Sequence, residues 1–165
     1  MHRLSVALLA LFSCTAPETV DTTGAGLDYS SNPDCGPAEA VVEHVIDGDT
    51  LRLETDDTVR LLLIDTPETT KGKHECTGAE ATDYTAELGL GQTVNLYYDA
   101  ECRDRYGRLL AYVEGPDGVV NELLLARGYA EVLHIPPNGA EHVEDYQAIE
   151  SAAQSARRGR WGACH

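Results

Sequence analysis

Val59 to Glu68 reads V-R-L-L-L-I-D-T-P-E. Leu61 to Ile64 has the length and composition of a buried strand. Pro67 cannot donate to a sheet ladder, so the strand is expected to stop near Asp65. Arg60, Asp65 and Glu68 then sit at the ends of an apolar segment. A cation, a hard-metal ligand and a candidate base held by one rigid strand suit phosphate chemistry. The same residues also fit a surface strand end with an incidental ion pair, because single charges at strand ends are common.

Outward from this strand the pattern stays β. Val41, Val42, Val45 and Ile46 form a first strand, and Leu51 and Leu53 alternate with polar residues in a second. Asp47-Gly48-Asp49-Thr50 between them is a hairpin signal, in which a turn gains nothing from the second carboxylate, Asp49. It is no EF-hand, since neither the ligand spacing nor the closing Glu follows. Thr77 and Glu80 read as a capping box, opening a helix with Ala81, Tyr84, Thr85 and Leu88 on one face and Gly89 at its end. Thr93–Tyr98 is a fourth strand and Leu109–Val113 a fifth. Val120, Leu123 and Leu124 mark a short helix stopped by Gly128. Val143, Tyr146, Ile149 and Ala153 share a face of a last helix from about Glu141 to Arg158, whose Arg157 and Arg158 suit its C-terminal dipole. Trp161 is expected to cover the core. Three strands, a helix, two strands and two helices describe a small α+β barrel with helices around it.

The 165 residues make one domain with a tail. A formal charge of -16 makes the body as a whole repel nucleic acid. Arg60, Lys71, Lys73, Arg103, Arg105 and Arg108 nevertheless lie in or near two short segments. A local positive cleft can persist on an acidic body, since exposed charges beyond ~8–10 Å are largely screened. Residues 1–14 look like a targeting segment: Arg3 precedes an apolar run too short to span a membrane. Its end, Leu11-Phe12-Ser13-Cys14, resembles a bacterial lipoprotein signal with Cys14 as the lipidated N-terminus; an ordinary cleaved secretory signal is the alternative. The protein is thus expected to be exported, held by a lipid anchor on the periplasmic or cell-surface side, or secreted. Residues 15–38 read as a flexible linker and 39–165 as the folded domain.

With Cys14 set aside, Cys35, Cys76, Cys102 and Cys164 allow two disulfides in three connectivities. The favoured pairing is Cys76–Cys102, tying two loops beside the site, with Cys35–Cys164 clamping the ends of the domain. No C-x-x-C pair points to zinc.

A second charged segment, Cys102-Arg103-Asp104-Arg105-Tyr106-Gly107-Arg108, lies between the fourth and fifth strands. Arg108 abuts a core strand as Arg60 does, and two arginines at strand mouths can each grip a phosphate bidentately. D-G-D-T at 47–50, R-L-L-L-I-D-T-P-E at 60–68 and D-R-Y-G-R at 104–108 resemble the staphylococcal nuclease family. So do V-N-E-L-L-L-A-R-G-Y-A at 120–130 and R-G-R-W at 158–161. The resemblance, in order over residues 40–162, implies a five-stranded OB-fold barrel with three helices. It also implies a Ca²⁺-dependent nuclease acting on DNA or RNA and leaving 3′-phosphates.

By that resemblance Asp49, Asp65 and the Thr66 carbonyl hold Ca²⁺, all oxygen donors as a hard cation requires. Glu68 is the general base, and Arg60 and Arg108 bind the phosphate. Arg105 stands where the family commonly has lysine, and Tyr106 is retained beside it for substrate contact. The family's nucleotide-facing tyrosines fall at His134 and Pro136, which weakens base stacking there. Competing readings are a catalytically silent OB-fold binding nucleic acid or protein, and an extracellular Ca²⁺-binding module. Nothing in the sequence calls for an oligomer, and a monomer is expected.

Overall fold

The computed structural model describes residues 27–29, 31–69 and 72–164. Its elements, in order, are β1 (Glu39–Asp47), β2 (Thr50–Leu53), β3 (Thr58–Leu61), β4 (Ile64–Asp65), α1 (Gly78–Gly89), β5 (Thr93–Arg103), β6 (Leu109–Gly115), β7 (Gly118–Val119), α2 (Val120–Arg127), β8 (Glu131–Val132), α3 (Val143–Ser155) and the single turn α4 (Arg160–Ala163). Antiparallel pairing runs β3-β2-β1-β5-β6, and a parallel pairing of β3 with β6 closes the ring. This is the expected five-stranded α+β barrel with three helices, α1 and α2 packed on it and α3 packed on α2 and β8. Alternation fills it: Val42, Leu53, Val59, Leu109, Ala111 and Val113 are fully buried. Among the described residues no helix is long and apolar enough to cross a membrane.

The run Leu61–Ile64 departs from the single strand expected of it. All four side chains are buried, but β3 ends at Leu61 and the chain reverses through Leu63, whose φ is +61°. Every carbonyl of the bend finds a donor from elsewhere. Arg60 Nη1 donates to Leu61 O and Ile64 O, both at 2.8 Å. Asn121 Nδ2 donates to Leu62 O at 2.9 Å, and Leu133 N–H to Leu63 O at 2.9 Å. The bend carries Asp65 and Thr66 out of the barrel wall and back over the β1–β2 turn. Asn121 itself is fully buried and also accepts from Val113 N–H at 3.1 Å. Asn121→Ala is expected to destabilise the fold by about 1–3 kcal/mol for each backbone group left unpaired. A urea titration showing a change under about 0.5 kcal/mol would contradict that accounting.

Four further expectations are corrected. Thr77 forms no capping box: it is left-handed (φ +67°), makes no side-chain cap bond, and Glu80 is exposed. A capping side chain needs an extended backbone to reach forward, and Thr77 does not have one. The last helix ends at Ser155, because Arg157 turns left-handed (φ +52°) to deliver α4, so neither Arg157 nor Arg158 lies in its final turn. The disulfides pair Cys35 with Cys102 and Cys76 with Cys164, not as favoured from sequence. Cys164 thus ties the C-terminal turn to the start of α1, while Cys35 lies on a strap beside β5.

That strap is the fourth correction, since residues 27–38 were expected to be spacer. Tyr29 is buried, with its ring 4.5 Å from that of Tyr112 and 4.6 Å from His142. Its hydroxyl donates to Glu122 at 2.5 Å and meets the Tyr146 hydroxyl at 2.8 Å. Tyr29, the Cys35–Cys102 bridge and hydrogen bonds to Tyr98 together hold a segment whose composition is largely polar. Residues 1–26, with the signal and Cys14, lie outside the described residues, as does Lys71.

Candidate active site

The barrel's parallel seam places the two arginines. Val59 pairs with Leu109, Arg60 with Leu110 and Leu61 with Ala111. Val59, Leu61, Leu109 and Ala111 point inward, so Arg60, Leu110 and, two residues earlier, Arg108 share the outer face. There they line one cleft of about 890 Å³ together with Arg103, Arg105 and Tyr106. Its lining also has apolar residues, among them Leu133 and Ile135, the latter 65% exposed. Lys73, expected nearby, is exposed and does not line the cleft. Neither do His134 and Pro136; their neighbours Leu133 and Ile135 face it instead.

Arg60 is the hub. Besides the two carbonyls, its Nε lies 3.2 Å from Asp49 Oδ1 and its Nη2 2.7 Å from Asp65 Oδ1. Asp49 is buried and held from all sides. Thr66 N–H donates to its Oδ2 at 2.9 Å, Thr66 Oγ1 to the same atom at 3.1 Å, and Thr50 Oγ1 to Oδ1 at 3.0 Å. The turn carrying Asp49 is pinned by α1, where Thr85 Oγ1 donates to Gly48 O at 2.7 Å. Gly48 is there for space: a Cβ would sit 2.7 Å from Thr66 Oγ1 and 2.9 Å from Ala81 Cβ. Glu68 follows Pro67, and its backbone is clamped by Glu75, whose Oε2 accepts from Glu68 N–H and whose N–H donates to Glu68 O, both at 3.1 Å.

Negative charge accumulates around this hub. Asp47, a hairpin-turn residue by its sequence, is buried and accepts from Asp49 N–H at 3.2 Å. Burial, then the charge of Asp49, pushes its carboxyl up to about 6. Burial also raises Asp65; Arg60 opposes it, and Asp49, Glu131 and Glu68 reinforce it. Glu131 faces Asp65 across the β4–β8 pair and is itself bound to Arg160 at 2.9 Å. Several carboxylates around one shared guanidinium suit a hard divalent cation. Among the described residues no three His, Cys, Asp or Glu side chains gather as a metal cluster. Of the donors the resemblance implies, Arg60 brings Asp49 and Asp65 together, but each Asp49 oxygen already accepts from two protein donors, so an ion there would have to displace some of them.

The second segment forms a turn stiffened from within by Asp104. Its Oδ1 accepts from Tyr106 N–H at 2.9 Å and Arg108 N–H at 3.0 Å, and its Oδ2 lies 2.7 Å from Arg108 Nε. Arg105 and Arg108 lie 4.8 and 5.6 Å from the centre of the Tyr106 ring, which is 69% exposed. Burial disfavours the ionised Asp104, but the bonds from Arg108 and the two backbone N–H groups outweigh it and hold the carboxyl below its usual range. A depressed carboxylate contributes stability above its unfolded pKa and loses it as pH falls through the folded value. Asp104→Asn is therefore expected to cost stability at neutral pH and to flatten the acid limb of the stability curve. Identical acid limbs in the two proteins would contradict it.

A family model described as staphylococcal nuclease homologue matches residues 58–163. The chain belongs to the staphylococcal nuclease homologue family. Over 140 residues it is 36% identical to the thermonuclease of Staphylococcus intermedius, covering 82% of this chain and 81% of that protein. The thermonuclease of Staphylococcus hyicus is 36% identical over 125 residues, 73% of each chain. Endonuclease YncB of Bacillus subtilis is 35% identical over 127 residues, 73% of this chain and 60% of that protein, so the chain spans less than two thirds of it. The match to the family model begins at Thr58, so Asp49 enters the site through its contacts with Arg60 and Thr66.

Proposed function

We propose that the protein is a Ca²⁺-dependent nuclease that hydrolyses phosphodiester bonds in DNA or RNA by attack of water, leaving 3′-phosphates. The observation that carries this reading is Arg60, which joins Asp49 and Asp65 at one guanidinium and shares a cleft with Arg108. The thermonuclease and endonuclease relatives support it. By the resemblance, Asp49, Asp65 and the Thr66 carbonyl would hold Ca²⁺, which would supply charge that eases attack on a phosphodiester. Arg60 and Arg108 stabilise the charge that grows on the phosphoryl oxygens. Glu68 takes the proton from the attacking water. Arg105 and Tyr106 hold the strand beside the scissile group, and the Leu133–Ile135 wall gives its bases an apolar surface.

A plasmid-nicking assay tests this reading: cutting with Ca²⁺, loss of cutting with EGTA, and loss with Glu68→Gln. Binding without cutting under all conditions would leave the silent OB-fold module as the function. Because the positive cleft sits on a strongly acidic chain, cutting is expected to fall steeply with salt. Equal turnover across a wide salt series would contradict a phosphate-gripping cleft. Export and anchoring through Cys14 belong to the same proposal, with two or more acyl chains giving stable attachment. Palmitate-analogue labelling that does not depend on Cys14 would end the anchor. The enzyme acts as a monomer in this reading, and gel filtration at a dimer's mass would contradict it.

A further inference from the structure

The loop Asp104–Arg108 is closed at its base by the Arg103–Leu109 pair and by Asp104 N–H donating to Arg108 O at 3.0 Å, so its placement depends on how the end of β5 is held. Pairing of β5 with β6 runs from Asn95 to Tyr98 and resumes only at Arg103, and pairing with β1 covers Thr93 to Asn95. Residues 99–102 bridge that gap, and two attachments outside the ladder hold them. One is polar. Asn138, 3% exposed, accepts from Glu101 N–H at 2.7 Å and donates to Glu101 O at 2.9 Å; Gly139 N–H donates to Asp99 Oδ2 at 2.6 Å. The other is covalent, the Cys35–Cys102 disulfide. Its far end is fixed, because the strap is bound to β5. Asn32 N–H donates to Tyr98 O at 3.1 Å, Tyr98 N–H to Ser31 Oγ at 3.2 Å and the Tyr98 hydroxyl to Pro37 O at 2.8 Å.

The geometry points to the Cys35–Cys102 bridge, seconded by Asn138, as the positioning element of the substrate-binding loop, setting how tightly nucleic acid is held. The inference rests on the nuclease reading above. Asp49, Asp65, Arg60 and Glu68 are fixed by contacts the bridge does not touch. Arg108 is rooted beside Leu109, which is fully buried and paired to β3. Arg105 and Tyr106 at the tip have no such root. Asp104 makes the turn stiff, so when the β5 side of its base loosens the tip shifts with it and must be ordered again when a strand binds. That ordering lowers affinity more than it slows the bound complex.

The test compares Cys35→Ser/Cys102→Ser with Cys76→Ser/Cys164→Ser in the full chain, cutting a single-stranded oligonucleotide with Ca²⁺. Both variants lose a cross-link and some stability. The first is expected to raise KM about tenfold with kcat within about twofold, whereas the second leaves KM unchanged. Amide hydrogen exchange at 103–107 should quicken in the first alone. Asn138→Ala keeps both bridges, and is expected to give the same KM-selective loss if the double variant does not fold. An unchanged KM without the Cys35–Cys102 bridge, or the same rise from losing either bridge, overturns the inference. A wild-type protein that binds the oligonucleotide without cutting it overturns the nuclease reading instead; its dissociation constant then replaces KM and still decides the role of the bridge.

Discussion

Glu68→Gln should lower turnover by about 10²–10⁴-fold and leave oligonucleotide affinity nearly unchanged. The substitution keeps size and removes only the proton acceptor and its charge. Glu68 lies three residues beyond Asp65, and its charge is felt at that carboxylate. Its backbone is clamped to Glu75, so the variant has no reason to relocate the side chain's root. Losing a group that works only during proton transfer lowers kcat and kcat/KM alike. Single-turnover cutting beside equilibrium binding makes the comparison. A rate loss under about threefold, or an equal loss of affinity, would remove Glu68 from the role of base.

Arg60→Ala is expected to fail twice over. Arg60, 13% exposed, serves Asp49, Asp65 and two carbonyls through three nitrogens. Without it Asp49 is a buried carboxylate lacking its cation, in a neighbourhood that already keeps Asp47 from ionising easily. Removing one partner of a buried pair costs about 3–5 kcal/mol. The variant should therefore unfold at much lower urea, and its folded fraction should cut about 10²–10³-fold more slowly. Arg60→Lys restores one charge but not the fork, and is expected to recover stability in part and rate hardly at all. Wild-type stability in Arg60→Ala would mean the carboxylates do not depend on it, and the site would have to be redrawn.

The barrel was legible in the sequence because its strands announce themselves residue by residue. Val59 in, Arg60 out and Leu61 in is a period only a strand satisfies, and Asp-Gly turns mark where it reverses. The bend at Leu62–Leu63 was not legible, since four apolar residues look the same whether they run straight or fold back. What satisfies their carbonyls, Asn121 and Leu133, lies some sixty to seventy residues downstream. Disulfide pairing stayed hidden for a similar reason: four cysteines are compatible with three pairings, and only the strap's path selects one. That path depends on Tyr29, a single ring in a polar segment, whose partners come from β6 and the helices. Within the site, Arg60, Asp49 and Asp65 stood out as charges with no local purpose. Asp47 and Asp104 did not, because each also suits a turn, and their work is visible only once Asp49 and Arg108 are seen to lean on them.

The seam between β3 and β6 has a temporal side. Arg60 and Arg108 come together only across the parallel hydrogen bonds that close the ring, and non-local parallel pairing is slow to form. A newly made or partly unravelled molecule carries both guanidinium groups, yet has no place where a single phosphate could meet them. On the nuclease reading, cutting therefore requires the closed barrel, since an open seam holds the two phosphate-gripping groups apart.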